Sequence, residues 1–327
     1  MKGSRRNVLS VPELEHAAAG THAGLWLDKG LPNVDDKGPG RQALLEELSK
    51  IPVTDDYKRF YQRWRSAVEA LGPSTRTEVA TVLGRLVAGL GAESVLETSI
   101  ALHRTYGVPY IPGSSLKGLA AAAAHQCLAD PAWRKPAKGV EIGAFHRILF
   151  GDQESSGEVT FHDALWIPEG PTLPLDLDVM TVHHPKYYQG TDNAPAADWD
   201  SPTPVAFLTA HGRYLLAVTG PKEWADTAME ILKIAVEENG AGAKTAAGYG
   251  RMQLEVKKVP EKVNWEPMIK GLNAGNAGTV VPRVFQVVHG EERLRAAKEM
   301  IETVGRRTLR AHRDKEWAKL LIAAVGE

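Results

Sequence analysis

The sequence predicts an α+β fold, because strand, helix and strand patterns occur in that order twice along its middle part. Apolar and polar residues alternate over 96–102, an alanine-rich helical block follows, and residues 158–166 alternate again. A third strand over 213–219 leads to a helix over 223–239 and a last strand over 252–256. This order predicts a ferredoxin-like (RRM-like) core of four antiparallel strands backed by two helices.

The residues before the first of these strands, 1–92, are predicted to form an N-terminal helical extension. Helical spacing of apolar residues predicts helices over 41–50 and 55–71. A further apolar stripe from Val79 to Leu90 follows i, i+3, i+4 spacing and predicts a third helix. The sequence leaves open whether these helices form a separate domain.

The predicted core, residues 93–258, contains a connection between its middle strands that is too long for a hairpin. Hairpin loops are usually about 2–5 residues long, whereas this connection spans 168–212. We therefore expect an inserted arm, with an extra strand over 174–182 and a mobile tip near 187–198.

The last predicted region, residues 259–327, follows the core. Its first part, as far as residue 289, contains Gly, Asn and Pro and is predicted to be an irregular linker. Apolar spacing then predicts C-terminal helices over 291–304 and about 309–324.

The composition limits the kinds of partner. Lys and Arg total 39 against 40 Asp and Glu, so a nucleic-acid site is expected to be a local patch on a chain with a net charge of −1. The single cysteine, Cys127, excludes an internal disulfide and favours a cytoplasmic location. No apolar run approaches the roughly 20 residues of a membrane span. His162 and Asp163 would point to opposite faces of a strand, and we expect neither a metal site nor a cofactor.

A glycine-rich loop, residues 240–251, carries the most informative pattern. Its four glycines allow positive φ angles and close backbone approach, and free N–H groups in such a turn form an anion-binding nest. Lys244 and Arg251 add positive charge. A Walker A loop is excluded, because Ala243 stands where that motif needs glycine and the loop leads from a helix into a strand. A glycine-rich turn without a ligand is the alternative.

The predicted start of the alanine-rich helix is the second candidate site. Ser114 or Ser115 is expected to cap the helix, and uncapped N–H groups with Lys117 one turn later suit a phosphate. The S-x-x-K spacing also occurs in penicillin-recognising acyltransferases, but no S-D-N accompanies it here. An N-capped helix without a ligand is the alternative.

Two further groups of residues are weaker candidates. His103, beside Arg104, is a possible general base for attack by a ribose 2′-OH, and a solvated strand end is the alternative. Near the C-terminus, Arg306, Arg310 and Arg313 are expected to share one helix face. That face suits phosphates or an acidic partner, and an ordinary solvated surface is the alternative.

Several motifs in this order resemble the RAMP superfamily of CRISPR-associated proteins. They are I-P-G-S-S-L-K-G at 111–118, G-x-V-x-F-x-D-A at 157–164 and G-A-K-T-x-x-G-Y-G at 242–250. The segments 182–188 and 198–209 are similar to the sixth subunits of the Cmr (type III-B) effector complex.

The resemblance implies a ferredoxin-like, RNA-binding subunit of a guide-RNA ribonucleoprotein, placed toward the 3′ end of the guide and not responsible for cutting target RNA. Its expected partners are the guide RNA, other Cmr RAMP subunits and, as a second RNA, the target. Arg104 is a secondary candidate without motif support. Matching residue by residue, the resemblance implies contacts with the RNA backbone by Ser114, Ser115, Lys117, Gly242, Lys244, Thr245, Gly248, Tyr249 and Arg251.

We therefore expect a non-catalytic RNA-binding and assembly subunit of an antiviral complex. Because pairing between guide and target reads the sequence, its contacts should show little base preference. One alternative is a metal-independent RAMP endoribonuclease that processes guide RNA, with His103 as base and Lys117 or Lys244 stabilising the transition state. The other is a structural adaptor that does not contact RNA.

Overall fold

The computed structural model contains two compact units, Met1–Glu255 (unit 1) and Val256–Glu327 (unit 2). The structure describes residues 20–31, 39–94, 96, 98–136, 141–169, 173–182, 187, 195–198, 202–255, 264–288 and 290–326.

The described residues at the N-terminal side of unit 1 form three helices, α1 (Ala23–Lys29), α2 (Pro39–Ser49) and α3 (Asp55–Glu69). The helices predicted over 41–50 and 55–71 are confirmed as α2 and α3. Tyr57, on the buried face of α3, donates a hydrogen bond of 2.6 Å from its hydroxyl to the Trp166 carbonyl oxygen. The N-terminal helices therefore pack directly on the strands that follow.

Antiparallel strands form the centre of unit 1. The described strands are β1 (Thr75–Val82), β2 (Tyr110–Ile111), β3 (Thr160–Phe161), β4 (Ala164–Trp166), β5 (Leu175–Val182), β6 (Thr203–Ala210), β7 (Arg213–Thr219) and β8 (Met252–Leu254). The main sheet has the order β2-β4-β7-β1-β8, and β3 also pairs with β7. The predicted mixture of helices and antiparallel strands is confirmed.

Three further helices lie between the strands in the described part of unit 1. They are α4 (Gly113–Cys127) after β2, α5 (Ala144–Phe150) before β3, and α6 (Lys222–Ile234) after β7. The helix predicted over 223–239 is α6 together with a π-helical turn that continues it to Asn239. Its apolar face and that of α4 contribute to the buried core of unit 1.

The first strand of the sheet lies earlier in the chain than predicted. The predicted helix from Val79 to Leu90 is wrong, because β1 occupies Thr75–Val82 and pairs with β7 from Thr75↔Thr219 to Thr81↔Arg213. Its run of Val and Thr residues favours a strand. The strand predicted over 96–102 is also wrong, because the described part of that segment makes one isolated bridge, Leu102↔Pro109.

The segment between β4 and β7 forms a separate two-stranded antiparallel sheet, β5 with β6, paired from Leu175↔Ala210 to Val182↔Thr203. The extra strand predicted over 174–182 is confirmed, whereas β6 was not predicted. Most of the tip predicted near 187–198 lies outside the described residues.

Unit 2 is helical and has its own apolar core. Its helices in the described residues are α7 (Ala277–Val287), α8 (Gly290–Val304), α9 (Arg306–Ala311) and α10 (Glu316–Val325). The prediction of an irregular linker as far as residue 289 is wrong, because α7 lies there. The single helix predicted over about 309–324 is divided into α9 and α10, so Arg313 does not share a helix with Arg306 and Arg310.

The predicted boundary at residue 92 does not separate the two units, because buried residues on both sides of it belong to one core in unit 1. The division between units 1 and 2 lies near the predicted boundary at 258. Among the described helices, none is both long and apolar enough to cross a membrane.

Candidate nucleic-acid interface

Three segments of unit 1 line one open cavity of about 420 Å³, here called the glycine-loop cavity. They are the turn at 88–91, the end of β2 with the first turns of α4, and the glycine-rich loop with the residue before it. Of the predicted site residues, Ser115, Gly242 and Thr245 line this cavity. Two motifs more than 120 residues apart in the sequence thus meet at one place.

The glycine-rich loop is held against residues 85–87 by backbone hydrogen bonds. The Ala243 N–H donates to the Val87 carbonyl oxygen at 2.7 Å, and the Gly250 N–H donates to the Arg85 carbonyl oxygen at 2.7 Å. Gly242 has a φ of 88°, and a Cβ atom at this position would collide with the Val87 carbonyl oxygen. Glycine is required at this position because the two backbones approach so closely.

The turn at Lys244 leaves backbone donors without an acceptor in the described part of the protein. Among described residues other than glycine, Lys244 alone has a positive φ, 58°, and Thr245–Ala247 follows as a 3-10 turn. A left-handed residue followed by a right-handed one directs successive N–H groups to one side, which forms an anion-binding nest. Within the described structure, the N–H groups of Lys244, Thr245 and Ala246 donate to no other protein group.

The prediction of free N–H groups in this loop is therefore correct for the turn at Lys244 but wrong for much of the remainder. The N–H groups of Ala241, Ala243 and residues 247–250 donate to backbone carbonyl oxygens. These hydrogen bonds hold the loop to itself and to residues 85–87, and they do not use the N–H groups of the nest at Lys244.

The start of α4 differs from the predicted capped helix. Pro112 is the N-cap residue and provides no side-chain cap, so neither Ser114 nor Ser115 caps the helix. Both serines lie exposed in the first turn. The Gly113 N–H, expected to be free, donates to Asp163 Oδ1 at 2.7 Å. The Asp163 carboxylate therefore occupies part of the positive end of this helix, where negative charge is stabilising.

The charged candidates lie in different places. Lys117 is half-buried and Arg251 is exposed, and neither side chain forms an ion pair with another described residue. Gly248 is exposed, with a φ of 92°. Arg104 is also exposed, but it lines a second cavity of about 400 Å³, together with His103 and Tyr110. The structure therefore does not bring Arg104 together with the residues of the glycine-loop cavity.

Tyr249 contacts protein groups rather than facing the cavity. Its hydroxyl donates to Asp178 Oδ2 at 2.7 Å, and Arg85 pairs with the same Asp178 oxygen at 2.7 Å and with Asp176 at 3.1 Å. Its ring lies 6.0 Å from that of Phe207 in β6. Tyr249 was predicted to contact RNA, but its hydroxyl links the glycine-rich loop to the β5–β6 sheet. Arg85 and Asp178 had no motif that would have singled them out.

The ionisation of these groups reflects their contacts. Partial burial opposes ionisation of Asp178, but hydrogen bonds from Arg85 and Tyr249 outweigh it and hold the pKa of that carboxyl below its ordinary value. Partial burial, together with the hydrogen bond to Asp178, raises the pKa of Tyr249. At neutral pH the pair is therefore a phenol donating to a carboxylate, the stronger, charge-assisted kind of hydrogen bond.

Asp178→Asn should lower the free energy of unfolding by about 1 kcal/mol at neutral pH, because the ion pair with Arg85 is lost. Since the pKa of Asp178 is depressed in the folded protein, its contribution is present above the ordinary carboxyl pKa of about 3.9 and is lost as pH falls through the lower folded pKa. As the pH is lowered from neutral to acidic values, the free energy of unfolding, measured with urea, should fall less for the variant than for the wild type. Tyr249→Phe, which keeps the ion pair, is the matched control, and an unchanged pH dependence in Asp178→Asn would contradict this assignment.

The two histidines singled out in the sequence, His103 and His162, make ordinary structural contacts. His103 Nδ1 accepts a hydrogen bond from the Thr105 N–H at 3.2 Å, and burial lowers the pKa of its ring. The ring lies 5.2 Å from that of Phe60 and 5.0 Å from that of Tyr106. His162 Nε2 lies 3.0 Å from the Thr219 hydroxyl. In the part of the chain that the structure describes, no three His, Cys, Asp or Glu residues are grouped to share a metal ion.

Comparison with known proteins identifies the family. A family model of the RAMP superfamily matches residues 79–253, which is more than half of the chain. The CRISPR system Cmr subunit Cmr6 of Pyrococcus furiosus is 35% identical over 264 residues, a match that covers 64% of this chain and 76% of that protein. These matches confirm the resemblance predicted from the motifs.

Two solved structures are also similar to this chain. A chain in the cryo-EM structure of the type III-B Cmr-beta complex bound to cognate target RNA has a TM-score of 0.51 and 18% identity, covering 68% of this chain and 77% of that one. The crystal structure of Cmr6 from Pyrococcus furiosus has a TM-score of 0.37 and 33% identity, covering 55% of this chain and 98% of that one. The chain belongs to the RAMP superfamily and, within it, to the family of Cmr subunit Cmr6.

Proposed function

We propose that this chain is a non-catalytic subunit of a type III-B Cmr effector complex and that it holds the sugar-phosphate backbone of RNA at the glycine-loop cavity. The observation that supports the site most directly is the cavity itself, which is lined both by Thr245 of the nest and by Ser115 in the first turn of α4. The 35% identity to a Cmr subunit supports the assembly. The partners would be guide RNA, with target RNA as a second candidate, and other Cmr RAMP subunits.

The topology supports a ferredoxin-like core for this function. In the sheet, β8 and β7 flank β1, and β3 and β4 pair with β7 on its other side. With α4 between β1 and β3 in the chain and α6 between β7 and β8, this order agrees with the split β-α-β arrangement of that fold and supports the proposal. The β5–β6 sheet would then be an insertion between its middle strands.

The chemistry of the cavity suits phosphate rather than bases. Backbone N–H groups of the nest, the Ser115 hydroxyl and the Lys244 ammonium are all hydrogen-bond donors. Such contacts hold a nucleic-acid backbone in position and carry no sequence information. A local site of this kind also agrees with the net charge of −1, because a subunit that contacts few phosphates does not need a basic surface.

The position of His103 supports binding rather than cleavage. A general base must lie within hydrogen-bond reach of the 2′-OH that it deprotonates. His103 lines a different cavity from Thr245, and its Nδ1 is occupied by the Thr105 N–H. Incubation of the purified protein with repeat RNA in EDTA should leave the RNA intact. A discrete product with a 2′,3′-cyclic phosphate that disappears in His103→Ala would overturn the non-catalytic assignment.

Two variants of Lys244 separate its charge from its backbone conformation. Lys244→Gly and Lys244→Ala both remove the ammonium, so each should weaken RNA binding equally for all sequences and flatten the salt dependence by about 0.7. Because alanine is strained at a φ of 58° and glycine is not, Lys244→Ala should be less stable than Lys244→Gly by about 1 kcal/mol. Fluorescence anisotropy across a salt series and urea unfolding measure the two effects, and loss of binding that depended on RNA sequence would contradict a backbone role.

Crosslinking in the assembled complex tests the site directly. Ultraviolet crosslinking of a reconstituted complex, followed by mass spectrometry, should place RNA adducts within 88–91, 114–117 or 242–251. The absence of adducts at all three segments, with assembly intact, would favour the structural adaptor.

A further inference from the structure

Unit 2 contains a stretch of unpaired positive charge that the family match does not include. Between residues 306 and 319 there are six Arg or Lys side chains against two acidic ones, Asp314 and Glu316, in a chain whose net charge is −1. The stretch lies beyond residues 79–253, to which the RAMP model aligns. The six side chains belong to α9, the turn that follows it and α10, and they are all exposed: Arg306, Arg307, Arg310, Arg313, Lys315 and Lys319.

These six cations lie close together in the sequence and have no counterion among the described residues, whereas several cations of unit 1 are paired with acidic side chains. In unit 1, Arg59 pairs with Asp56, Arg65 with Glu69, and Arg213 with Glu169. Among the residues described by the structure, none of the six forms an ion pair, although Asp314 and Glu316 lie in the same stretch. With Asp314 and Glu316 counted, the stretch still has four more positive than negative charges, and this excess creates a positive local potential that attracts a polyanion.

The remaining side chains indicate the class of polyanion. The two large apolar residues of this stretch, Leu309 and Trp317, are buried in the core of unit 2. No large hydrophobic side chain is exposed between residues 306 and 319, all of which the structure describes. A protein interface usually has an apolar centre surrounded by a polar rim, and this surface lacks one. Four of the six cations are arginines, whose planar guanidinium groups bind phosphate in a bidentate manner.

We propose that the surface of α9 and the following turn is a second phosphate-binding site, which contacts single-stranded nucleic acid independently of the glycine-loop cavity. Its ligand is the sugar-phosphate backbone, so it should bind RNA and DNA single strands of the same sequence with similar salt dependence. The proposal does not require the glycine-loop cavity to bind RNA.

A charge-matched pair of triple variants tests this proposal in the full-length chain. Arg306→Gln, Arg307→Gln and Arg310→Gln together remove three charges from α9, where glutamine and arginine have similar helix propensities. The control combines Lys270→Gln, Arg283→Gln and Lys298→Gln, three exposed cations of unit 2 that also form no ion pair among the described residues. Circular dichroism and thermal unfolding should show both variants folded.

Binding of a fluorescein-labelled single-stranded RNA is then measured between about 50 mM and about 200 mM salt. Since each phosphate contact to a single strand contributes about 0.7 to the slope of log K against log salt, the α9 variant should lose about 2 from that slope and bind at least tenfold more weakly at about 0.1 M salt. The control variant should change the slope much less. An equal loss in both variants, or no loss in either, would overturn the proposal.

Two further measurements distinguish this proposal from a surface that binds an acidic protein and from binding at the glycine-loop cavity. If the α9 variant keeps its RNA affinity but no longer enters a reconstituted Cmr complex, the surface binds an acidic protein and the proposal is wrong. Lys244→Gly is measured beside it. An effect of the α9 variant without an effect of Lys244→Gly would support the second site and contradict the function proposed for the glycine-loop cavity. An effect of Lys244→Gly without an effect of the α9 variant would support the glycine-loop cavity and contradict the second site.

Discussion

Replacing Gly242 by alanine is expected to lower the free energy of unfolding by about 3 kcal/mol and to weaken RNA binding by at least tenfold. A Cβ atom at Gly242 would collide with the Val87 carbonyl oxygen, which accepts a hydrogen bond from the Ala243 N–H. The backbone at a φ of 88° would also be strained. The loop would have to move away from residues 85–87, and this movement would open the cavity that it lines.

Gly248→Ala is the matched control for this prediction. Gly248 lies in the same loop with a φ of 92°, but nothing lies within 4 Å of the position of its Cβ atom. Alanine there should therefore cost about 1 kcal/mol of backbone strain and little RNA affinity. Chemical denaturation and anisotropy titrations with labelled RNA measure both quantities. If Gly242→Ala and Gly248→Ala weaken RNA binding equally, the close approach to Val87 does not shape the site.

Local patterns were sufficient to predict several elements of the fold. The strand at Arg213–Thr219 follows a continuous apolar run that ends at a turn, and the helices α2 and α3 follow the apolar spacing of their own residues. The stripe from Val79 to Leu90 was misleading, because helical spacing arose across a strand and the turn after it. Pairing with β7, which lies more than 130 residues away in the chain, determines the conformation of β1, and no local window contains this information.

The candidate site shows the same division between local and distant causes. The glycines of the loop indicated where the backbone turns sharply, and Lys244 indeed adopts a left-handed conformation beside them. The partners of these segments could not be predicted, because Asp163 is 50 residues from Gly113 and Tyr249 is 71 residues from Asp178. In each case an acidic side chain on a distant strand or loop accepts the hydrogen bond of a donor that the sequence suggested was available to RNA.

Asp163 gives the second prediction with a large expected effect, in which two substitutions should change RNA binding in opposite directions. Asp163→Ala removes the acceptor of the buried Gly113 N–H, so the free energy of unfolding should fall by about 2 kcal/mol. The first turn of α4, which carries Ser115 into the glycine-loop cavity, would lose its anchor to the β3–β4 segment. RNA binding should therefore weaken.

Asp163→Asn separates the hydrogen bond from the charge. The asparagine side-chain oxygen can still accept the Gly113 N–H, so the geometry of α4 should be kept and the stability loss should be below about 1 kcal/mol. The substitution also removes a negative charge from the end of the helix that we propose binds phosphate, so RNA affinity should rise. Urea unfolding and anisotropy titrations on both variants provide the comparison. A fall in RNA affinity for Asp163→Asn with an unchanged fold would mean that the α4 N-terminus does not bind phosphate, because removing a competing carboxylate from a phosphate site cannot weaken it.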